Sequence, residues 1–190
     1  NHLRQQAYLV KGLRITIIDA REHEGDLDID KVYYLRDEKL EVPSMSFYFD
    51  GGLVSLVRFN NQIFKKVHKN IFYVEKEVNE YETVEIALQY VDDMSSRVLP
   101  FANNIYNAEG GTHITGFKAT LTRTINNYGR KNNLIKEKEE NFTGDDVLEG
   151  LTAVVSVKLR EIQFEGQTKG KLGSVEAQGM VQSVFGEAFN

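Results

Sequence analysis

Val98-Leu99-Pro100-Phe101-Ala102, then Gly110-Gly111-Thr112-His113-Ile114-Thr115-Gly116-Phe117-Lys118-Ala119-Thr120-Leu121-Thr122-Arg123-Thr124-Ile125-Asn126-Asn127-Tyr128, then Ala153-Val154-Val155-Ser156-Val157-Lys158-Leu159: these three pieces decide the fold. The outer two are short apolar runs of strand length. The middle one places Phe117, Leu121, Ile125 and Tyr128 on one helical stripe behind a double glycine, with Arg123 and Arg130 on the opposite side. Before the last strand, Thr143 followed by Asp146 is a capping-box variant, and Asp145 and Asp146 suit the positive end of a helix dipole. The run therefore reads strand, helix, short helix, strand.

Working outward, 71–75 and 84–91 are strand-like. In the second, Val84, Ile86, Leu88 and Tyr90 alternate with Glu85, Ala87 and Gln89, so a hairpin through Asn79 with one packed and one wet face is expected. Phe47-Tyr48-Phe49 reads as a strand that enters the Gly51-Gly52 turn, after which Leu53, Leu56 and Val57 recur at helical spacing. At the front, Leu3, Tyr8 and Leu9 mark a short helix stopped by Gly12, followed by a strand over 13–19. Residues 22–30 are acidic, with a possible strand at 31–35, and 164–172 is polar and glycine-containing. Ser174 is placed to cap a closing helix through Val175, Val181, Val184 and Phe185. Strands and helices mix without regular alternation, which gives an α+β class with one sheet and helices largely on one face.

Composition sets bounds. A chain of 190 residues with 41% hydrophobic content buries a real core, about one domain and a fragment of another. Without cysteine, disulfides, thiolate metal sites and Cys nucleophiles are excluded, which fits a reducing cytoplasm. No apolar run approaches a membrane span, so no membrane partner is expected, and a start at Asn1 suggests a piece of a longer protein. The net charge of −5 argues against a generally basic coat, leaving a local cationic stretch from Lys118 to Lys138.

Other motifs weigh less. Gly110, Gly111 and His113 fit neither the P-loop nor the dinucleotide fingerprint, so turn geometry explains the glycines and a structural hydrogen bond is the default for His113. Asp26, Asp28 and Asp30 imitate the start of an EF-hand loop, but Lys31 stands at its glycine position and Asp37 at its glutamate position. Asn141-Phe142-Thr143 matches a glycosylation sequon that has meaning only in a secreted protein.

Several blocks together resemble one family. Gly110 to His113, Gly116 to Thr124, Asn126-Asn127-Tyr128, Thr143-Gly144-Asp145-Asp146, Glu149 to Lys158 and Phe164-Glu165-Gly166-Gln167-Thr168-Lys169 stand in the order and spacing of the B subunits of bacterial type IIA DNA topoisomerases, gyrase and its sister topoisomerase IV. Tyr48-Phe49-Asp50-Gly51-Gly52 is similar to their Tyr-Glu-Gly-Gly segment, and residues 3–19 resemble the closing helix and strand of their GHKL ATPase domain. The contexts of Gly166 to Lys169 and Asn126 to Tyr128 favour gyrase over topoisomerase IV.

The resemblance implies an organisation: 1–20 ends the ATPase domain, 21–46 is a charged insertion or linker, and 47–190 is a transducer domain. That domain would share the ribosomal-protein domain 2-like fold, with a mixed sheet and a left-handed βαβ crossover. It further implies that Gln167 and Lys169 reach the terminal phosphate of ATP in the upstream domain, Lys169 being the catalytic contact. A lysine suits this role, as a compact point charge on a flexible stem. Lys118, where the family usually has Arg, is implied to face the cavity that holds duplex DNA, with Arg123 and Arg130 as further candidates. ATP and Mg2+ would serve the full-length protein, with no metal site here. The implied partners are the upstream ATPase domain, a second B subunit, the A subunit and double-stranded DNA. The family's metal-binding Asn, catalytic Glu and ATP lid lie upstream and its cleavage tyrosine belongs to the other subunit, so the piece alone is not expected to be active. Its Gln167-Thr168-Lys169 loop is expected to be mobile. The rival readings are a topoisomerase IV B subunit, a stand-alone nucleic-acid-binding module using Lys118 to Lys138, and a mismatch-repair or chaperone relative.

Overall fold

A computed structural model describes residues 2–23 and 41–189. The EF-hand-like aspartates and the possible strand at 31–35 lie outside the described residues. The chain divides into two compact units, Asn1–Gly52 and Leu53–Asn190.

In the first unit, helix α1 (His2–Leu9) buries Ala7, Tyr8 and Leu9. Strand β1 (Arg14–Ile18) pairs antiparallel with β2 (Ser44–Tyr48), Ile15 lying opposite Phe47. The Tyr8 ring stacks on Phe49, centroids 3.6 Å apart. The strand at Phe47 hydrogen-bonds back to β1, and this first unit ends at Gly52. A lone strand has unsatisfied backbone groups, and here β1 satisfies them.

The second unit opens with α2 (Gly52–Asn60) and is built on a five-stranded mixed sheet in the order β3-β4-β7-β5-β6. Its strands are β3 (Phe72–Asn79), β4 (Glu82–Tyr90), β5 (Arg97–Ala102), β6 (Ile105–Tyr106) and β7 (Leu151–Lys158). The β3–β4 hairpin turns where expected, the Asn79 side chain accepting a hydrogen bond from the Tyr81 amide at 3.0 Å. β7 pairs antiparallel with β4 and parallel with β5. The parallel pair is joined through α3 (Thr112–Lys131) and α4 (Gly144–Leu148), since parallel neighbours need a crossover. α4 carries the expected capping box, Thr143 and Asp146 each satisfying the other's backbone amide. The Thr143 hydrogen bonds hold the Asp146 carboxyl below the usual carboxylate range.

One sheet face carries the core. Val84, Ile86 and Leu88 lie opposite Val157, Val155 and Ala153. They pack against Phe117 and Leu121 of α3, Val147 and Leu148 of α4, and Val181, Val184 and Phe185 of α5 (Glu176–Phe189). Helices mainly on one face, as expected, follow from this division. α3 and α5 approach closely at Gly116, where an added Cβ would stand 2.6 Å from the Gln178 carbonyl oxygen.

The second face is not uniformly wet. Ala87 and Gln89 are as buried as their neighbours, because α2 buries Leu53, Leu56 and Val57 and then delivers Asn61 to the sheet. Asn61 Nδ2 donates to Gln89 Oε1 at 3.0 Å, and Thr152 Oγ1 donates to Asn61 Oδ1 at 2.6 Å. β7 is therefore covered on both sides, which accounts for its near-continuous apolar run.

Two more expectations change. Val175 is exposed and precedes α5, and the Ser174 hydroxyl does not cap that helix but accepts the Gln163 amide at 2.8 Å. The Phe117-Leu121-Ile125-Tyr128 stripe is buried only in its first half, Tyr128 being 63% exposed.

Gly111, at φ 136°, sits against Leu172 so closely that a Cβ would come within 2.4 Å of the Leu172 carbonyl oxygen. Gly111→Ala is expected to lower stability by about 2–4 kcal/mol, through strain and displacement of that backbone. Gly179→Ala, on open α5 surface, is expected to raise it by about 0.5–1 kcal/mol. Urea titration of both variants checks this contrast.

Candidate functional site

The loop 163–173 is a laced hairpin rather than a loose polar segment. The Glu165 amide donates to the Lys171 carbonyl at 2.9 Å and the Gly173 amide to the Gln163 carbonyl at 2.8 Å. Phe164 and Leu172 form an antiparallel bridge. The base of the loop is thus laced by backbone hydrogen bonds, and Gln167, Thr168 and Lys169 stand exposed at its tip.

The lacing extends to the start of α3. The Leu172 amide donates to the Gly110 carbonyl at 3.0 Å, and the Thr112 amide donates to the Leu172 carbonyl at 3.1 Å. The Thr112 hydroxyl donates to the Ser174 carbonyl at 2.6 Å. Nearer the tip, the Glu109 amide donates to the Gly170 carbonyl at 2.8 Å. The fully buried Asn107 side chain donates to the Lys169 carbonyl at 2.9 Å. These bonds hold Lys169 at φ 55°, a left-handed conformation costing a non-glycine residue about 1 kcal/mol. Such a conformation persists where its surroundings over-determine it.

The two lysines of the loop differ. Lys171 pairs with Glu165 at 2.9 Å, and that hydrogen bond raises its pKa. Lys169 has no ion pair among the described residues, so its charge is the one open to an incoming anion. Chemically, the tip offers the Lys169 ammonium and the Gln167 carboxamide on either side of the Thr168 hydroxyl, with the Glu109 carboxylate beside Gly170.

The remaining site candidates separate from the tip and from one another. Lys118 and Arg123 are exposed on the outer side of α3. Five residues apart, they lie roughly 140° apart around the helix, at the two edges of its solvent face. Arg130 is engaged structurally: its guanidinium donates to Asn141 Oδ1 at 2.9 Å and to the carbonyls of Lys136 and Glu139. It closes the loop after α3, helped by Asn126, which exchanges two hydrogen bonds with the Phe142 backbone.

His113 makes no structural hydrogen bond. It is fully buried in the first turn of α3, and neither ring nitrogen has a partner among the described residues. Burial pulls its pKa down to about 4. Asn107 was invisible in the sequence, because an asparagine in a short connection carries no mark of the carbonyl it will meet.

Against this geometry the chain can be set beside known proteins. The sequence profile of the DNA gyrase B family matches residues 52–190. The DNA gyrase B protein of Clostridium acetobutylicum is 44% identical over 185 residues, covering 97% of this chain and 26% of that protein. That of Halalkalibacterium halodurans is 45% identical over 190 residues, covering 100% of this chain and 27% of the other. Among solved structures, the 43K ATPase domain of Thermus thermophilus gyrase B in complex with an aminocoumarin superposes with a TM-score of 0.79 at 34% identity, covering 99% of this chain and 45% of that one. The chain belongs to the DNA gyrase B family, and it spans about a quarter of the length of the two curated relatives.

His113 yields a pH prediction. Its folded pKa lies near 4, below the unfolded value of 6.5, so between these limits the unfolded state binds the extra proton and stability falls with falling pH. The loss attributable to this residue approaches about 3 kcal/mol at the acid end. His113→Leu is expected to flatten the stability profile between pH 6.5 and pH 4, measured by urea unfolding at each pH.

Proposed function

We propose that this chain works as the transducer part of the B subunit of a DNA gyrase, passing the state of a bound nucleotide to movements that let one DNA duplex through another. The observation that carries the reading is the joint of the Gln167-Thr168-Lys169 tip to the start of α3: Lys169, with no ion pair among the described residues, is held in a left-handed turn on a limb whose backbone bonds also begin the helix bearing Lys118 and Arg123. A force on the tip is a force on that helix. Support for the parent protein comes from the relatives named as gyrase B proteins.

In this reading residues 1–20 close a GHKL ATPase domain, the charged segment 21–46 is an insertion or linker, and the transducer follows. Gln167 and Lys169 reach the terminal phosphate of ATP held with Mg2+ in the upstream domain. There, hydrolysis removes the charge that ordered the contact. Lys169 neutralises phosphate charge as it develops and Gln167 orients an oxygen by hydrogen bonding. Lys118 and Arg123 meet the phosphates of duplex DNA. Arg130 acts behind them by shaping the loop it clamps. The assembly includes a second B subunit and the A subunit and works in the cytoplasm.

The test is ATP turnover by the full-length protein. Lys169→Ala is expected to reduce it about a hundredfold, the scale for removing one donor aimed at developing charge. Lys171→Ala, which removes a lysine already paired with Glu165, is expected to leave turnover near wild type. Near-normal turnover with Lys169→Ala contradicts the assignment.

A further inference from the structure

We infer that the chain carries a second phosphate-binding surface, a cleft on the sheet face opposite α3, formed by Arg58, Lys66 and Lys69 and fitted to the backbone of duplex DNA. The cleft has a volume of about 730 Å³ and is lined by these three cations with Val54, Asn70 and Gln89 among their neighbours. No carboxylate lines it among the described residues, although the chain as a whole carries a net charge of −5. Randomly scattered surface lysines alternate with acids, as Lys65 does by pairing with Asp92 at 3.2 Å just outside the cleft. Arg58, Lys66 and Lys69 are all exposed and have no ion pair among the described residues.

The cations sit on a fixed frame. Lys66 bridges Val91 of the sheet through its backbone. The Gln89 amide, 3% exposed, donates to the His68 carbonyl at 3.0 Å and lies 3.4 Å from that of Lys69. Asn61 and Thr152 hold Gln89 in turn. The His68 ring accepts the Tyr90 amide at 3.0 Å. This buried polar network, reaching from β7 to the 66–70 segment, costs desolvation to build and fixes the backbone that carries two lysines. Arg58, in the last turn of α2, faces the same opening. A fixed backbone keeps the stems of Lys66 and Lys69 at a set spacing, which suits a ligand that repeats its phosphates over a single dilute ion.

The two faces of the sheet thus offer separate cationic surfaces, Lys118 and Arg123 on one and this cleft on the other. The choice of DNA as the source of phosphates rests on the reading under Proposed function, but its test is independent of ATP turnover. The probe is a fluorescein-labelled duplex of random sequence, titrated by anisotropy over a series of salt concentrations. The triple variant Arg58→Ala, Lys66→Ala, Lys69→Ala is expected to bind at least about tenfold more weakly at low salt. The slope of log affinity against log salt should fall in magnitude by about 2.7, or about 0.9 for each of three phosphates released. The charge-keeping variant Arg58→Lys, Lys66→Arg, Lys69→Arg should retain the wild-type slope, with unchanged circular dichroism in both variants. Equal slopes for the wild type and the triple alanine variant, or a wild-type chain that does not bind the duplex, would overturn the inference.

Discussion

The structure depends on the approach of Gly111 to Leu172. Here the polypeptide turning into α3 meets the returning limb of the 163–173 hairpin at a distance no side chain on residue 111 would permit. Both backbones are bonded to each other, which ties the tip residues to the helix start. Everything assigned to the tip follows from this. Lys169 holds a left-handed turn because Asn107 and the Gly110 to Thr112 backbone constrain the limb on which it stands. Lys169 has no ion pair among the described residues, while Lys171 is neutralised by Glu165. The phosphate-sensing role proposed for the tip calls on both properties, an open charge and a stiff mount.

The second constraint is that β7 is covered on both faces. On one side the α3, α4 and α5 helices complete an apolar core, so any tilt of α3 must be accommodated by Phe117, Leu121 and Phe185 moving together. On the other side a polar network of Thr152, Asn61, Gln89 and His68 ties α2 and the segment after it to the sheet. Apolar packing tolerates small sliding, whereas hydrogen bonds fix direction. The sheet is thus held by directional hydrogen bonds on one side and by apolar packing on the other.

Much of this was legible in the sequence because it rests on periodicity and capping, which are local. The α3 stripe, the Thr143–Asp146 box and the β3–β4 hairpin each depend on residues within a few positions of one another. What was not legible depends on distant partners. Ser174 looks like a helix cap, and only the tertiary structure reveals that its hydroxyl faces Gln163. Ala87 and Gln89 alternate like a wet face, yet α2 and its sequel lie over them. Phe47 reads as part of a strand, but its partner, Ile15, lies far upstream and leaves no local mark. The tip residues Gln167 and Lys169 were found through resemblance to a family, whereas Asn107, which holds the Lys169 carbonyl, left no trace in the residues around it.

The central claim is that the tip loop and the start of α3 move as one body, and native-state hydrogen exchange tests it most directly. The amides of Leu172 and Thr112, which donate across the joint, should exchange as slowly as the Val155 amide in the central strand. Exchange of those two amides at the rate of a free peptide, with Val155 still protected, would contradict it.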